Sequence, residues 1–521
     1  MRCYYSTVSS FYVQNFGCRA TQADGAAIER QFQERGLERA AEIGDAEIVV
    51  LNTCTVTASA DQDARAAIRR VHRKNPQARI VVTGCYAQRS PEELAALPGV
   101  AQVIGNSHKY QLAELALPQP VHANPAFVPL ASLRTENREL RTDVYVSDIF
   151  AHTELLAAPV FDAPNERTRP NLKIQDGCDN RCSFCVIPYV RGQSRSMKLE
   201  QVLDEVRSLV AAGYRELVIS GINLGRWGRD LEIGHRPDEA ADRSQVTSHR
   251  PAAEAVITTA GIEGLSQRPT TKDQRLAFSR RRMTDDWRLP SLIHAVLDHT
   301  SLEKLRISSV EPMDWSDELI ELVASSPRIA KHAHVPMQSG SDAVLRRMHR
   351  KYRPWHYRDK IEKIRAAMPT AAIGADVMVG FPGETDGEFD ETRRMIEDLP
   401  FTYLHVFTYS ARPDTPAAQM PGQVHVEVAR ERNRILREVG ERKRLAFMKG
   451  FVGKTLEAIT LAANRQHVPE IIPEQRPIGL FTEALTDNYL KLRLQGRHKP
   501  NLWIRARVRQ VEDQTLIAAP V

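Results

Sequence analysis

The sequence predicts an α/β protein in three parts: an N-terminal open α/β domain, a central partial β/α barrel and a small C-terminal β-barrel. Three observations predict it. Near the N-terminus, short apolar runs such as AEIVVLNTC and ARIVVTGC alternate with helix-like patterns, as in a parallel sheet with helical crossovers. A second, longer α/β series begins at about Asn171, and after about Glu441 the apolar alternation shortens to a period of two. A length of 521 residues also exceeds what one hydrophobic core usually organises, so several domains are expected.

The first part spans residues 10–118. Its runs FYVQNFGC, AEIVVLNTC and ARIVVTGC each read as a strand that ends at a cysteine. Carboxyl ends of strands in an open α/β sheet converge on the ligand crevice, so Cys18, Cys54 and Cys85 are expected to meet there. Residues 119–163, with many Pro, Ala, Asn and Thr and no clear period, read as a linker.

The core is expected over residues 164–435. Six strand candidates, NLKIQDG, ELVISGIN, KLRISSVEP, HAHVPMQSG, AAIGADVMVGFP and TYLHVFTYS, alternate with helical patterns, enough for a partial or full barrel. Residues 229–286 break this rhythm. They are polar and too long for a compact βα loop, and read as a disordered surface insertion. Residues 443–517 carry KTLEAITLA, NYLKLRLQ, LWIRARVRQV and TLIAAPV, a set of short strands expected to close into a barrel of the kind that often holds RNA.

Composition narrows the function classes. A hydrophobic share of 42% and a charged share of 26% are those of an ordinary soluble protein. No run of eighteen apolar residues occurs, and the N-terminus lacks the order of a secretory signal, so a cytoplasmic protein without membrane contact is expected. Thiols stay reduced in that compartment, and clustered cysteines are then metal ligands rather than disulfide partners. The net charge of +6 is modest, but basic residues gather toward the C-terminus, where Arg493, Arg497, Lys499, Arg505 and Arg507 are candidate phosphate contacts.

The stretch KIQDGCDNRCSFCVIPYVRG, from Lys173 to Gly192, packs Cys178, Cys182 and Cys185 into eight residues. A structural zinc site wants four closing ligands. Three thiolates instead suit a 4Fe-4S cube with one iron left for a small molecule. The spacing, with Phe184 just before the last cysteine, resembles the radical S-adenosylmethionine superfamily. That resemblance implies that Cys178, Cys182 and Cys185 hold a cluster whose open iron binds S-adenosylmethionine and cleaves it to a 5′-deoxyadenosyl radical. It also implies cofactor contacts at Gly221 in SGINLG and Asp376 in GADVMVGFPGET, together with Phe184, while Ser309 and Glu311 in SSVEP and Gln338 in VPMQSGSD end barrel strands, so their polar groups are expected to face the site.

The segments NFGCRATQADG, NTCTVTASADQDARAAIRR and TGCYAQRSPEEL resemble, in content and order, the N-terminal domain of the methylthiotransferase family, and the C-terminal barrel resembles a TRAM RNA-binding domain. In that family the positions of Cys18, Cys54 and Cys85 bind a second 4Fe-4S cluster that carries the sulfur to be transferred. The implied reaction uses one S-adenosylmethionine to methylate that sulfur and a second to generate the radical that activates a substrate C–H bond. No catalytic side chain beyond the cluster ligands is implied. The TVT after Cys54, the following ADQ and the GCYAQ around Cys85 look most like the branch acting on N6-threonylcarbamoyladenosine at tRNA position 37. The alternatives are N6-isopentenyladenosine at the same position, an aspartate of ribosomal protein S12, and, in a different class, a non-catalytic metal-stabilised RNA-binding protein. A tRNA substrate and a reductant such as flavodoxin or ferredoxin are the expected partners. The sulfur donor stays unnamed, and Cys3, outside both triads, receives no role.

Overall fold

The structure, a computed structural model, describes residues 10–117, 142–152, 155, 168–233, 288–462 and 481–521. Cys3 and most of the expected linker and insertion lie outside the described residues. Among the described residues no helix is long and apolar enough to cross a membrane.

The N-terminal part is a parallel sheet of β1 (Ser10–Asn15), β2 (Glu38–Arg39), β3 (Ile48–Thr53), β4 (Arg79–Gly84), β5 (Val100–Gly105) and β6 (Asp143–Tyr145), in spatial order β2-β1-β3-β4-β5-β6. β3 is buried at all six positions, as a central parallel strand covered on both faces must be, which explains its unbroken apolar run. β6 comes from within the segment expected to be a linker. Its residues Asp143, Val144 and Tyr145 pair in register with Gln102, Val103 and Ile104, and only that pairing makes so short a polar stretch a strand.

The core holds β7 (Asn171–Asp176), β8 (Arg195–Ser196), β9 (Glu216–Gly221), β10 (Lys304–Ile307), β11 (His332–His334), β12 (Ala372–Val379) and β13 (Tyr403–Thr408). Its sheets β10-β9-β7-β8 and β11-β12-β13 are joined by parallel bridges between Leu305 and Ile329 and between Ser309 and His334. Apart from the antiparallel β8, this makes six parallel strands of an open barrel. Leu172, Ile219, Leu305, Ala333 and Ile373 lie at the centre of its hydrophobic cluster.

The helix Val426–Lys449 leads to the C-terminal part. There β14 (Thr455–Thr460), β15 (Phe481–Thr486), β16 (Lys491–Gln495), β17 (Trp503–Glu512) and β18 (Thr515–Pro520) form a closed barrel in the order β14-β15-β16-β18-β17. Leu492, Leu494, Ala506, Val508, Leu516 and Ala518 fill its interior at alternate positions, the physical content of the period of two.

Two junctions position the site. The N-terminal sheet reaches both edges of the open barrel: Lys173 of β7 pairs with Asp24, while beyond β13 Arg412 donates to Thr55 Oγ1 at 2.8 Å. At the opposite end, the turn between β15 and β16 enters the base of the barrel. Arg306 donates to the carbonyls of Asp487 (3.1 Å) and Thr486 (3.3 Å), Asn488 donates to the Thr370 carbonyl (2.9 Å), and the Tyr489 ring lies 4.5 Å from that of His332.

Candidate functional site

Cys178, Cys182 and Cys185 sit on the loop after β7. Gly177 opens it at φ +71°, and a Cβ there would lie 1.8 Å from the Gln193 carbonyl oxygen, so the turn into Cys178 excludes every side chain. The loop is tied back by Cys178 N–H to the Gly192 carbonyl (3.1 Å) and by Ser183, which donates through N–H to the Met348 carbonyl (3.1 Å) and through Oγ to that of Arg347 (2.7 Å). Burial pushes the Cys185 thiol up to about 12, with Cys182 adding to it, and burial raises Cys178 as well. Donors point at these sulfurs: Asn180 N–H (3.4 Å) and Asn223 Nδ2 (3.6 Å) at Cys178, and Arg350 Nη1 (3.3 Å) at Cys182.

Cys18, Cys54 and Cys85 follow β1, β3 and β4 in turn. Gly17, at φ +103°, lies directly against Cys54, where a Cβ would come within 2.6 Å of its Cβ and 2.9 Å of its Sγ. Cys54 and Cys85 are buried, and Cys18 is exposed. Burial pushes Cys54 up to about 12, and Cys85 and Cys18 add to this, so the three sulfurs feel one another's charge. Asn106 Nδ2 reaches Cys85 at 3.6 Å and Val190 O at 2.6 Å. The TVT and ADQ residues do structural work beside Cys54. Thr55 Oγ1 donates to Asp61 (2.7 Å), Arg89 pairs with the same carboxylate (2.8 Å), and Thr57 caps the helix Ala58–Lys74.

The two triads share one interface. Cys85 packs with Val186 and Val190, and Val186 directly follows Cys185. Between them lies a buried charge network: Asp24 accepts from Lys109 (3.1 Å), Arg191 (3.0 Å) and Lys173, while Asp176 accepts from Lys173 (2.8 Å) and Arg191 (3.0 Å). Burial alone would raise both carboxyls, yet Lys109, Lys173 and Arg191 hold Asp24, and Arg191 and Lys173 hold Asp176, well below the ordinary range. Three cations against two carboxylates leave one positive charge, and Arg191 and Lys109 both feel Cys85.

The other expected cofactor contacts fall around the same barrel mouth, all half-buried. Gly221 ends β9, two residues before Asn223, whose N–H donates to Gln175 Oε1 at 2.7 Å. Phe184 stacks edge-on against Phe381 (6.3 Å). Gln338 adopts a left-handed φ of 62°, which lets its N–H reach the Asp376 carbonyl (2.8 Å) and its own carbonyl accept from Met378. Asp376 Oδ1 lies 3.3 Å from His334 Nε2, and Ser309 bridges to His334. Glu311 is already committed to Arg350, which also contacts Cys182. Arg505 and Arg507 project from the outer face of β17, Arg493 lies on β16, and Arg497 and Lys499 are exposed in the loop after it.

Sequence reasoning missed Asn180, Asn223, Arg350 and the Asp24 network. Asn223 stands two residues from Gly221 in the segment already singled out. Nothing in the sequence pairs Asp24 with Lys173 or Arg191, which are 149 and 167 residues away. Among the described residues no three His, Cys, Asp or Glu side chains are drawn into a closed metal site. The donor chemistry nevertheless suits iron–sulfur clusters. Each triad offers three thiols and no fourth ligand, with N–H groups aimed at sulfur and cations nearby to favour thiolates.

Comparison with known proteins agrees with this geometry. Residues 10–105 match the Uncharacterized protein family UPF0004 and residues 172–396 the Radical SAM superfamily. The chain is 34% identical over 480 residues to a Threonylcarbamoyladenosine tRNA methylthiotransferase MtaB of Bacillus subtilis, covering 92% of this chain and 89% of that protein. It is 31% identical to an Aquifex aeolicus protein of the same description, over 93% and 96% of the two chains. A tRNA-2-methylthio-N(6)-dimethylallyladenosine synthase of Novosphingobium aromaticivorans is 31% identical, over 86% of each chain. An open α/β sheet, an open barrel with its three-cysteine loop, and this likeness over nearly the whole chain agree: the chain belongs to the radical SAM methylthiotransferase family, enzymes that work with S-adenosylmethionine and an iron–sulfur cluster.

Proposed function

We propose that the enzyme methylthiolates C2 of N6-threonylcarbamoyladenosine at position 37 of tRNA, giving the 2-methylthio derivative. The likeness over 92% of the chain to a relative described as a threonylcarbamoyladenosine tRNA methylthiotransferase carries this reading. In it, residues 10–118 together with β6 form the sulfur-handling domain, 164–435 the radical core and 443–517 the RNA-binding barrel. Cys178, Cys182 and Cys185 hold one 4Fe-4S cluster, and Cys18, Cys54 and Cys85 hold a second. When bound, these clusters and S-adenosylmethionine supply the radical and the sulfur.

The chain's own residues bind, orient and exclude water. Asn180, Asn223 and Arg350 donate toward the sulfurs of the first triad and fix their orientation. Phe184, Gly221, Ser309, Glu311, Gln338 and Asp376 surround the space above it at strand ends, where a barrel enzyme binds its small molecules. Asp24, Asp176, Lys173 and Arg191 lock the N-terminal sheet onto β7, so both triads keep a fixed separation. Adenosine 37 lies in a single-stranded loop, whose bases can be splayed into such a site. Arg493, Arg497, Lys499, Arg505 and Arg507 neutralise phosphates, and a flavodoxin- or ferredoxin-type protein supplies electrons.

Mass spectrometry of tRNA nucleosides from a strain lacking the enzyme tests the reading. The methylthio group should vanish from threonylcarbamoyladenosine alone. Loss from isopentenyladenosine, or an unchanged profile, overturns the assignment.

A further inference from the structure

A cavity of about 470 Å³ lies between the starting ends of β12 and β13 and the β15–β16 turn. Its wall includes Arg169, Arg444, Lys491 and Arg493 against the single carboxylate of Glu483, which sits opposite Arg493 in register across β15 and β16. Tyr403, His405 and Tyr489 supply aromatic surface. The size is that of a pocket for one small molecule or one flipped nucleoside, and too small for a nucleic-acid helix.

The charge behind the wall is unbalanced. Arg169 lies 3.6 Å from Glu216, but that buried carboxylate is already held by Arg306 at 2.7 Å. Arg19 comes to the same place from the N-terminal sheet, its guanidinium 3.5 Å from the Tyr489 hydroxyl. Three guanidiniums thus converge near one carboxylate. Asp487, the next acid, is taken by Lys304 at 3.3 Å. Burial makes the Arg169 charge costly, and Glu216 relieves it only in part because Arg306 and Arg19 oppose it. Arg19, the residue after Cys18, thus links the N-terminal sheet to Tyr489 of the cavity wall.

We propose that this cavity receives the carboxylate-bearing N6 arm of the substrate adenosine, with Arg169 as its anion partner, an inference that rests on the substrate reading above. A carboxylate entering here meets desolvated guanidinium charge, and a planar group beside it meets Tyr403 and Tyr489. An uncharged dimethylallyl arm would leave the excess guanidinium charge around Glu216 uncompensated, and a site built for a charged group rejects an analogue lacking it strongly. The cavity therefore distinguishes the two substrate classes named among the relatives.

Backbone phosphate is the other anion an RNA could bring, and the test separates the two. Binding of the holoenzyme is measured at fixed salt to three anticodon stem-loops that differ only at one adenosine: N6-threonylcarbamoyl, its methyl ester, and unmodified. The wild type should prefer the free acid to the ester by about tenfold or more. Arg169→Gln should abolish that preference without changing ester binding, Arg169→Lys should restore part of it, and Arg444→Gln, outside the buried pair, should reduce it to a smaller degree. Undiminished preference in Arg169→Gln and Arg444→Gln, or equal weakening of all three RNAs, overturns the proposal. A wild-type holoenzyme that fails to methylthiolate the free-acid RNA while acting on another adenosine removes the substrate reading, and the pocket with it. If the wild type does methylthiolate the free acid, preference retained in the variants overturns the pocket alone.

Discussion

The two cysteine triads each gather three thiols, from opposite kinds of scaffold. Cys178, Cys182 and Cys185 come from one loop of eight residues, whereas Cys18, Cys54 and Cys85 come from three strand ends that meet only after the sheet has paired. The first triad therefore depends on local turns, and the second on the register of β1, β3 and β4. Their surroundings differ too. Arg350 serves the first triad and is itself bound to Glu311, while the second lies beside a network with one positive charge in excess.

The comparison breaks most severely through the ligands themselves. Replacing Cys178, Cys182 and Cys185 by Ala should abolish 5′-deoxyadenosine formation and methylthiolation together. The same change at Cys18, Cys54 and Cys85 should leave cleavage of S-adenosylmethionine intact and end methylthiolation; a triple N-terminal variant that still methylthiolates would falsify the division of labour. Next in size is Asp24→Asn, which strands three buried cations with one carboxylate. A loss of about 3–5 kcal/mol is expected by chemical denaturation.

Gly17→Ala should act on the second triad alone. The φ of +103° and the contact with Cys54 make the change cost about 1–3 kcal/mol. Iron content after anaerobic reconstitution should fall by roughly half, from about eight irons to about four, with radical formation retained. Acid should weaken the same junction. The carboxyls of Asp24 and Asp176 are depressed on folding, so their contribution is complete above the unfolded value near ~3.9 and is lost as pH falls below it. Urea midpoints of the cluster-free protein should be insensitive to this network from pH 5 to 8 and should drop below about pH 4, and Asp24→Asn should flatten that drop. The smallest effect is expected at the C-terminal barrel: Arg505→Gln or Arg507→Gln should each lower the salt dependence of tRNA binding by about one unit of slope, measured by titration.

The contrast between the triads also explains what was legible beforehand. The central strands of the N-terminal sheet stood out because buried parallel strands carry unbroken apolar runs, as Ile48 to Leu51 do in β3. The loop triad was legible because its ligands are neighbours in the chain. The dispersed triad needed the further step that strand ends share an edge. β6 and β15 escaped because register with a neighbouring strand, rather than their own pattern, makes them strands. The Asp24 network escaped because its members are remote in sequence, and the Gln338 backbone because no pattern encodes a left-handed glutamine.

The turn of Asp487, Asn488 and Tyr489 gives the C-terminal barrel a second duty. It corks the catalytic barrel from below, with the Tyr489 ring against His332 and Tyr403 and its backbone carbonyls gripping Arg306. A truncation meant only to remove the C-terminal barrel would pull this stopper and let water in beneath the lumen. Such a variant would lose turnover beyond any loss of tRNA affinity, and its defect would be read as lost chemistry although every cysteine remained.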